Sequence, residues 1–135
     1  MHAVSVGETL AAAQFVKQFM VQNPDTPVII TSTTPTGSEQ VKRIFGERVF
    51  HMYLPYDLPS FINRFIKSIR PGALVIVETE LWPNLLACCD QHDLPVVLAN
   101  ARMSERSARG YGKVPALTRP MLHSLNIVAV QNPTD

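Results

Sequence analysis

Apolar positions in this chain follow two alternating periods. Short runs at residues 3–6, 28–31, 49–53, 73–77, 96–99 and 127–130 read as strands. Most are separated by about twenty residues, enough for a crossover helix between parallel neighbours. Between the runs the period becomes helical, with apolar residues at 12, 15, 16, 19 and 20 and again at 58, 61, 62, 65, 66 and 69. Asp57 is placed to cap the second of these helices, and Arg70-Pro71 to end it. Ser38 is placed to cap a helix carrying Val41, Ile44 and Phe45, with Gly46 just past its end. Pro83 suits the first turn of a helix after Trp82. Residues 103–120, with Gly110, Gly112, Pro115 and Pro120, read as a loop flanked by short helices. The alternation predicts an α/β fold, a doubly wound parallel sheet, with no internal repeat and no linker.

The run ending Ala73-Leu-Val-Ile-Val-Glu-Thr-Glu-Leu-Trp-Pro-Asn84 says most about function. An unbroken apolar segment is the habit of a strand buried on both faces, and ligands of such sheets bind beyond the carboxyl ends of the strands. Glu78 and Glu80 stand there. The start of the chain repeats the layout, with Ala3-Val4-Ser5-Val6 running into Gly7-Glu8. The strand ends thus predict Glu8, the 33–37 turn and residues 78–82 along one sheet edge.

Composition narrows the picture. The 135 residues suit one domain, and a net charge of +1 supplies no global attraction to nucleic acid. No apolar stretch is long enough to span a bilayer, and no signal peptide opens the sequence. Adjacent Cys88 and Cys89 do not form a disulfide framework, which points to a reducing compartment and to buried helix residues. Both ends read as cut, so the chain is expected to be one domain of a longer protein. His2, His51, His92 and His123 have no ligand spacing, and neither a metal nor another cofactor is expected.

Each chemical candidate admits a plain reading beside a functional one. Glu8, after a glycine that permits a tight strand-to-helix turn, either stabilises a helix start or serves as an ionised base. Thr31-Ser-Thr-Thr-Pro-Thr-Gly37 offers hydroxyls and amides to phosphate or sugar oxygens, or is a capped turn. It lacks the phosphate-loop and dinucleotide glycine patterns. Glu78 and Glu80 share a side if strand geometry persists, and either orient hydroxyls, move a proton or pair with arginines. Trp82 stacks on a ligand or packs. Arg102, Arg106 and Arg109, with Ser104 and Ser107, suit an anion or a solvated loop. The helix 57–70 pairs its apolar stripe with Arg64, Lys67 and Arg70, which suits an anionic membrane surface or ordinary packing with a solvated basic face.

Five segments occur together in order: His2-Ala-Val-Ser-Val-Gly-Glu8, Thr33-Thr-Pro-Thr-Gly37, Tyr53-Leu-Pro-Tyr-Asp57, Glu78-Thr-Glu-Leu-Trp-Pro-Asn84 and Ala99-Asn-Ala-Arg-Met-Ser-Glu-Arg-Ser107. From His2 to Gln131 the sequence resembles the 3-deoxy-D-manno-octulosonic acid (Kdo) transferases of Gram-negative bacteria. The resemblance implies the N-terminal, acceptor-side Rossmann-like domain of a GT-B glycosyltransferase. It implies inverting transfer of Kdo from CMP-Kdo to the lipid A precursor in lipopolysaccharide biosynthesis, at the cytoplasmic face of the inner membrane. The parent would add a membrane anchor and a C-terminal domain holding most of the donor site, so the isolated domain is expected to be soluble and inactive. Glu8 falls on the family's base. Ser5, Gly7, Thr33, Thr34, Thr36, Gly37, Glu78, Glu80, Asn100 and Arg102 become the substrate-binding candidates. Two alternatives stand beside this reading: a non-catalytic binding module, and a GT-B transferase using another nucleotide sugar.

Overall fold

The computed structural model describes residues 1–3, 5–78, 81–101, 113 and 115–130. The chain divides into two compact units, Met1–Leu54 and Pro55–Asp135. Both are built from parallel strands joined by helices, the α/β class expected.

In the first unit, helix α1 is Val6–Gln22, strand β1 Ile29–Ser32, helix α2 Pro35–Phe45 and strand β2 Phe50–Tyr53, with a 3-10 turn at Gly46–Arg48. β1 and β2 pair in parallel from Ile29 opposite Phe50 to Ser32 opposite Tyr53. The first residues join β1 on the same terms: Thr31 N–H donates to Met1 C=O at 2.8 Å, and Ala3 N–H to Thr31 C=O at 3.0 Å. The strand expected over 3–6 is therefore shorter, because Ser5 caps a helix that starts at Val6. Ser5 and Glu8 are the two ends of a capping box, a signal hidden by the apolar Val4 and Val6 around it. Ala13, Val16, Ile30, Val41, Phe45 and Val49 form the core under α1 and α2. Thr34, not Ser38, caps α2, its Oγ1 accepting from Gly37 N–H at 3.1 Å with Pro35 in the first turn. Ser38 lies buried inside the helix. Gly46 ends α2 at φ +58°, a left-handed value that glycine adopts without strain.

The second unit runs α3 (Pro59–Ile69), β3 (Leu74–Val77), α4 (Pro83–Gln91), β4 (Val96–Ala101), α5 (Pro115–His123) and β5 (Ile127–Val130). Its sheet has the parallel order β3-β4-β5. Pairing of β4 with β5 advances three residues on β4, from Leu98 to Ala101, for two on β5, so β4 carries a bulge. Ile62 and Ile66 bury the α3 stripe, while Phe61 stays half exposed and Arg64, Lys67 and Arg70 face solvent. Cys88 and Cys89 are buried in α4 as expected, and burial pushes the Cys89 thiol up to about 12, which makes it inert. Pro120 sits inside α5 and does not end it. A proline there removes one backbone bond, which a short packed helix tolerates.

Asp57 does not cap α3, whose N-cap is Leu58. Its carboxylate instead accepts from Asn84 N–H at 3.1 Å and Leu85 N–H at 2.9 Å, and Asn84 Nδ2 donates to Asp57 C=O at 2.7 Å. It thus caps α4 across 27 residues of sequence. Substituting Asp57→Ala should destabilise the chain by about 1–2 kcal/mol, because two helix-start amides lose a charged acceptor. Urea unfolding would show this as a lower midpoint, with Asp57→Asn in between.

His2 is fully buried, its Nδ1 2.9 Å from Thr31 Oγ1. Burial first, and then the chain-terminal ammonium beside it, lower its imidazole from 6.5 to about 4. Between those values the unfolded state holds more protons than the folded one. The His2 contribution to stability is therefore fully present above about pH 6.5 and is lost as the pH falls toward about 4. Unfolding measured across that window should depend on pH less steeply in His2→Asn than in the parent chain.

Candidate functional site

Parallel pairing decides which residues meet in the first unit. Residues 1–3 and β1 run the same way, so the turns that follow both emerge at one edge. One turn leads into Ser5 and α1, the other through Thr33 into Thr34 and α2. Glu8 and the 33–37 turn are thereby brought to a common edge, each beside the positive end of a helix.

Glu8 occupies the third position of α1 and is 5% exposed. Ser5 Oγ donates to Glu8 Oε1 at 2.8 Å and accepts from Glu8 N–H at 3.3 Å. One hydroxyl therefore both orients the carboxylate and closes the helix start. The plain and functional readings of Glu8 are compatible here, since a base gains from being held in one rotamer. Gly7 serves no tight turn, which corrects the expectation for it. It lies in α1, and a Cβ added to it would meet only Ser5 Oγ, at 3.9 Å.

Across the edge, Thr33 and Thr34 are half-buried, Thr36 is exposed and Gly37 is buried. Sequence reasoning passed over the group that braces this turn. His51 of β2 lies with Nε2 3.0 Å from Ser32 Oγ and Nδ1 3.5 Å from Ser38 Oγ. Its ring meets Tyr53 edge-on at 5.7 Å. Partial burial and the nearby Lys42 hold its imidazole below the usual value. A search for metal spacing could not find it, because its partners are hydroxyls rather than other ligands.

In the second unit Glu78 and Asn100 stand at the carboxyl ends of adjacent strands. Val77 pairs with Ala99, and Glu78 N–H donates to Ala99 C=O at 2.9 Å. Both residues are left-handed, Glu78 at φ +60° and Asn100 at φ +55°. Asparagine often takes that conformation, whereas for glutamate it costs energy and is worth retaining where the side chain has a use. Strand geometry ends at Val77, so alternation cannot place Glu80 on the side of Glu78. Glu80, Arg102, Arg106 and Arg109, with Ser104 and Ser107, lie outside the described residues. Trp82 is half-buried at the N-cap of α4, whose second and third amides are already taken by Asp57. That helix start is thus already met by a carboxylate, whereas the third amide of α2 is met by the uncharged Thr34 hydroxyl.

A concavity of about 520 Å³ in the first unit lies elsewhere. Met20, Asn23, Asp25, Arg48 and Phe50 line it at the amino end of β1, away from Glu8. No group of three or more metal-ligating side chains occurs among the described residues.

Comparison with known proteins decides the family. The sequence model of the 3-deoxy-D-manno-octulosonic-acid transferase (kdotransferase) family matches residues 1–135. The chain belongs to the Kdo transferase family. It is 46% identical over 132 residues to the 3-deoxy-D-manno-octulosonic acid transferase of Haemophilus influenzae, covering 98% of this chain and 31% of that protein. It is 36% identical over 140 residues to the enzyme of the same name from Bordetella pertussis, covering all of this chain and 32% of the relative. A bifunctional glycosyltransferase/methyltransferase of Fusobacterium nucleatum is 31% identical over 137 residues, again across this whole chain but 21% of the relative. The Kdo transferase chain thus spans about a third, or less, of the length of the curated relatives it matches.

Gly7 offers a direct probe of this Kdo transferase edge. Gly7→Ala should raise folding stability by about 0.5–1 kcal/mol, since the helix position accepts a methyl with only an ordinary contact to Ser5 Oγ at 3.9 Å. If substrate approaches Gly7, the same change should weaken turnover. Thermal unfolding and steady-state assay of one variant check both parts.

Proposed function

We propose that this chain is the acceptor-side half of a GT-B Kdo transferase. The acceptor is the phosphorylated, acylated glucosamine disaccharide that precedes lipid A, and the donor is CMP-Kdo, held mainly by protein beyond these residues. An acceptor hydroxyl attacks the anomeric carbon of Kdo from the face opposite CMP. The new C–O bond forms as the bond to the CMP phosphate breaks, and the configuration inverts. Glu8 takes the hydroxyl proton, and CMP leaves with the electron pair. The observation that carries this reading is the buried carboxylate of Glu8, held by the Ser5 hydroxyl at the start of α1.

Ser5 and Gly7 shape the ground around the base. Thr33, Thr34, Thr36 and Gly37 receive acceptor phosphate or sugar oxygens at the start of α2, where amide dipoles favour negative charge. Arg102 is assigned to the same phosphates by charge, and Glu78, Glu80 and Asn100 to acceptor hydroxyls. A lipid acceptor calls for work at a membrane surface, and the family resemblance makes it the cytoplasmic face of the inner membrane. Exposed Tyr56, Leu58 and Phe61 beside Arg64, Lys67 and Arg70 give α3 and its approach a surface suited to anionic lipid. No described helix is long and apolar enough to cross a membrane.

The test is Glu8→Gln in a full-length transferase carrying these 135 residues. Turnover should fall by about 10²–10⁴-fold with folding intact, because the amide keeps the shape and loses the base. The isolated 135 residues should transfer no Kdo, since they span only about a third of the length of their relatives. Near-normal turnover by a folded Glu8→Gln enzyme would remove Glu8 from the mechanism.

A further inference from the structure

The 33–37 turn is held from outside by one side chain. Ser32 is the last residue of β1 and Ser38 lies in the first turn of α2, so they stand immediately before and after the turn. Both are buried, at 0% and 4% exposure, and both hydroxyls meet the imidazole of His51. That ring projects from the neighbouring strand, where His51 pairs with Ile30. A neutral ring donates from one nitrogen and accepts at the other, and each hydroxyl rotates to suit.

This arrangement is costly for a purely structural tie. Two buried hydroxyls and an imidazole must all be satisfied, whereas apolar residues could fill the same space without that demand. What a polar network adds is a single geometry. Thr34 fixes the inside of the turn through Gly37 N–H, and His51 fixes its two ends. The Thr36 hydroxyl, exposed between these anchors, is then presented in one place.

We propose that His51 is a positioning residue for the acceptor, setting the 33–37 turn by holding Ser32 and Ser38 on either side of it. The inference rests on the reading of that turn as acceptor-binding. His51 acts through the turn and carries no proton in the transfer.

The experiment uses a full-length transferase carrying this chain, with CMP-Kdo and the acylated disaccharide bisphosphate as substrates. His51→Leu removes both contacts; His51→Gln can keep the one to Ser32 and His51→Asn the one to Ser38. Acceptor KM should rise about tenfold in His51→Leu and by less in the two amides, while kcat and the KM for CMP-Kdo stay within about twofold. Hydrogen exchange at the Gly37 and Ser38 amides should quicken in the same order. Thr36→Ala tests the turn itself. If Thr36→Ala raises acceptor KM and folded His51→Leu does not, the role of His51 is overturned and the acceptor reading survives. If neither variant moves acceptor KM, that reading falls and the proposal with it. A parallel loss in kcat and in both KM values would mark His51 as a general structural residue and also overturn the proposal.

Discussion

The direction in which residues 1–3 pair with β1 governs the first unit. Two backbone hydrogen bonds and the buried His2–Thr31 contact fix that direction as parallel. Two parallel neighbours must leave the sheet at the same end, and each must then turn back through a helix. Both helices here begin with a hydroxyl residue that caps the third residue on, Ser5 for Glu8 and Thr34 for Gly37. A carboxylate, three threonines and two helix starts therefore share an edge for reasons of chain direction alone. Had the pairing been antiparallel, Ser5 and Thr34 would lie at opposite ends of the sheet.

The second unit obeys the same rule with a different result. β3 and β4 end together, and at each end the backbone turns left-handed, at Glu78 and at Asn100. The bulge in β4 accommodates Asn100. Its helix α4 starts with amides already neutralised by a carboxylate, whereas α2 starts with amides met by an uncharged threonine. Formally similar strand–turn–helix units thus differ in the charge their helix starts can still accept.

Much of this was legible in the apolar pattern. Runs such as 73–77 and the stripe through Ile62 and Ile66 gave strands and helices close to their observed limits. Pro83 and Arg70-Pro71 marked boundaries because proline restricts the backbone locally, and Gly46 because it admits a left-handed φ. The errors concern side chains whose hydrogen-bond partners the apolar pattern does not show. Asp57 reads as a cap for the helix next to it, and only the folded chain shows that its partners are Asn84 and Leu85. Val4 and Val6 disguised the capping box at Ser5 and Glu8 as part of a strand. His51 carried no signal, since a histidine tied to two serines has no spacing rule. The candidate site residues were named as members of motifs, not from geometry; the sequence named Ser5 and Glu8 but not the hydrogen bond between them.

The Asp57 cap also bears on how the second unit comes to fold. A helix with its own cap residue can begin to form from local sequence. α4 instead draws its first stabilising acceptor from a residue that precedes all of α3 and β3. Until that loop closes, nine residues with a tryptophan at the N-cap have little reason to be helical. Nucleation of α4 is thus coupled to a long-range contact, which raises the contact order of the unit and slows its formation. The same coupling makes the unit cooperative: α3, β3 and α4 are gained or lost together, and a partly folded chain with α4 formed alone is disfavoured.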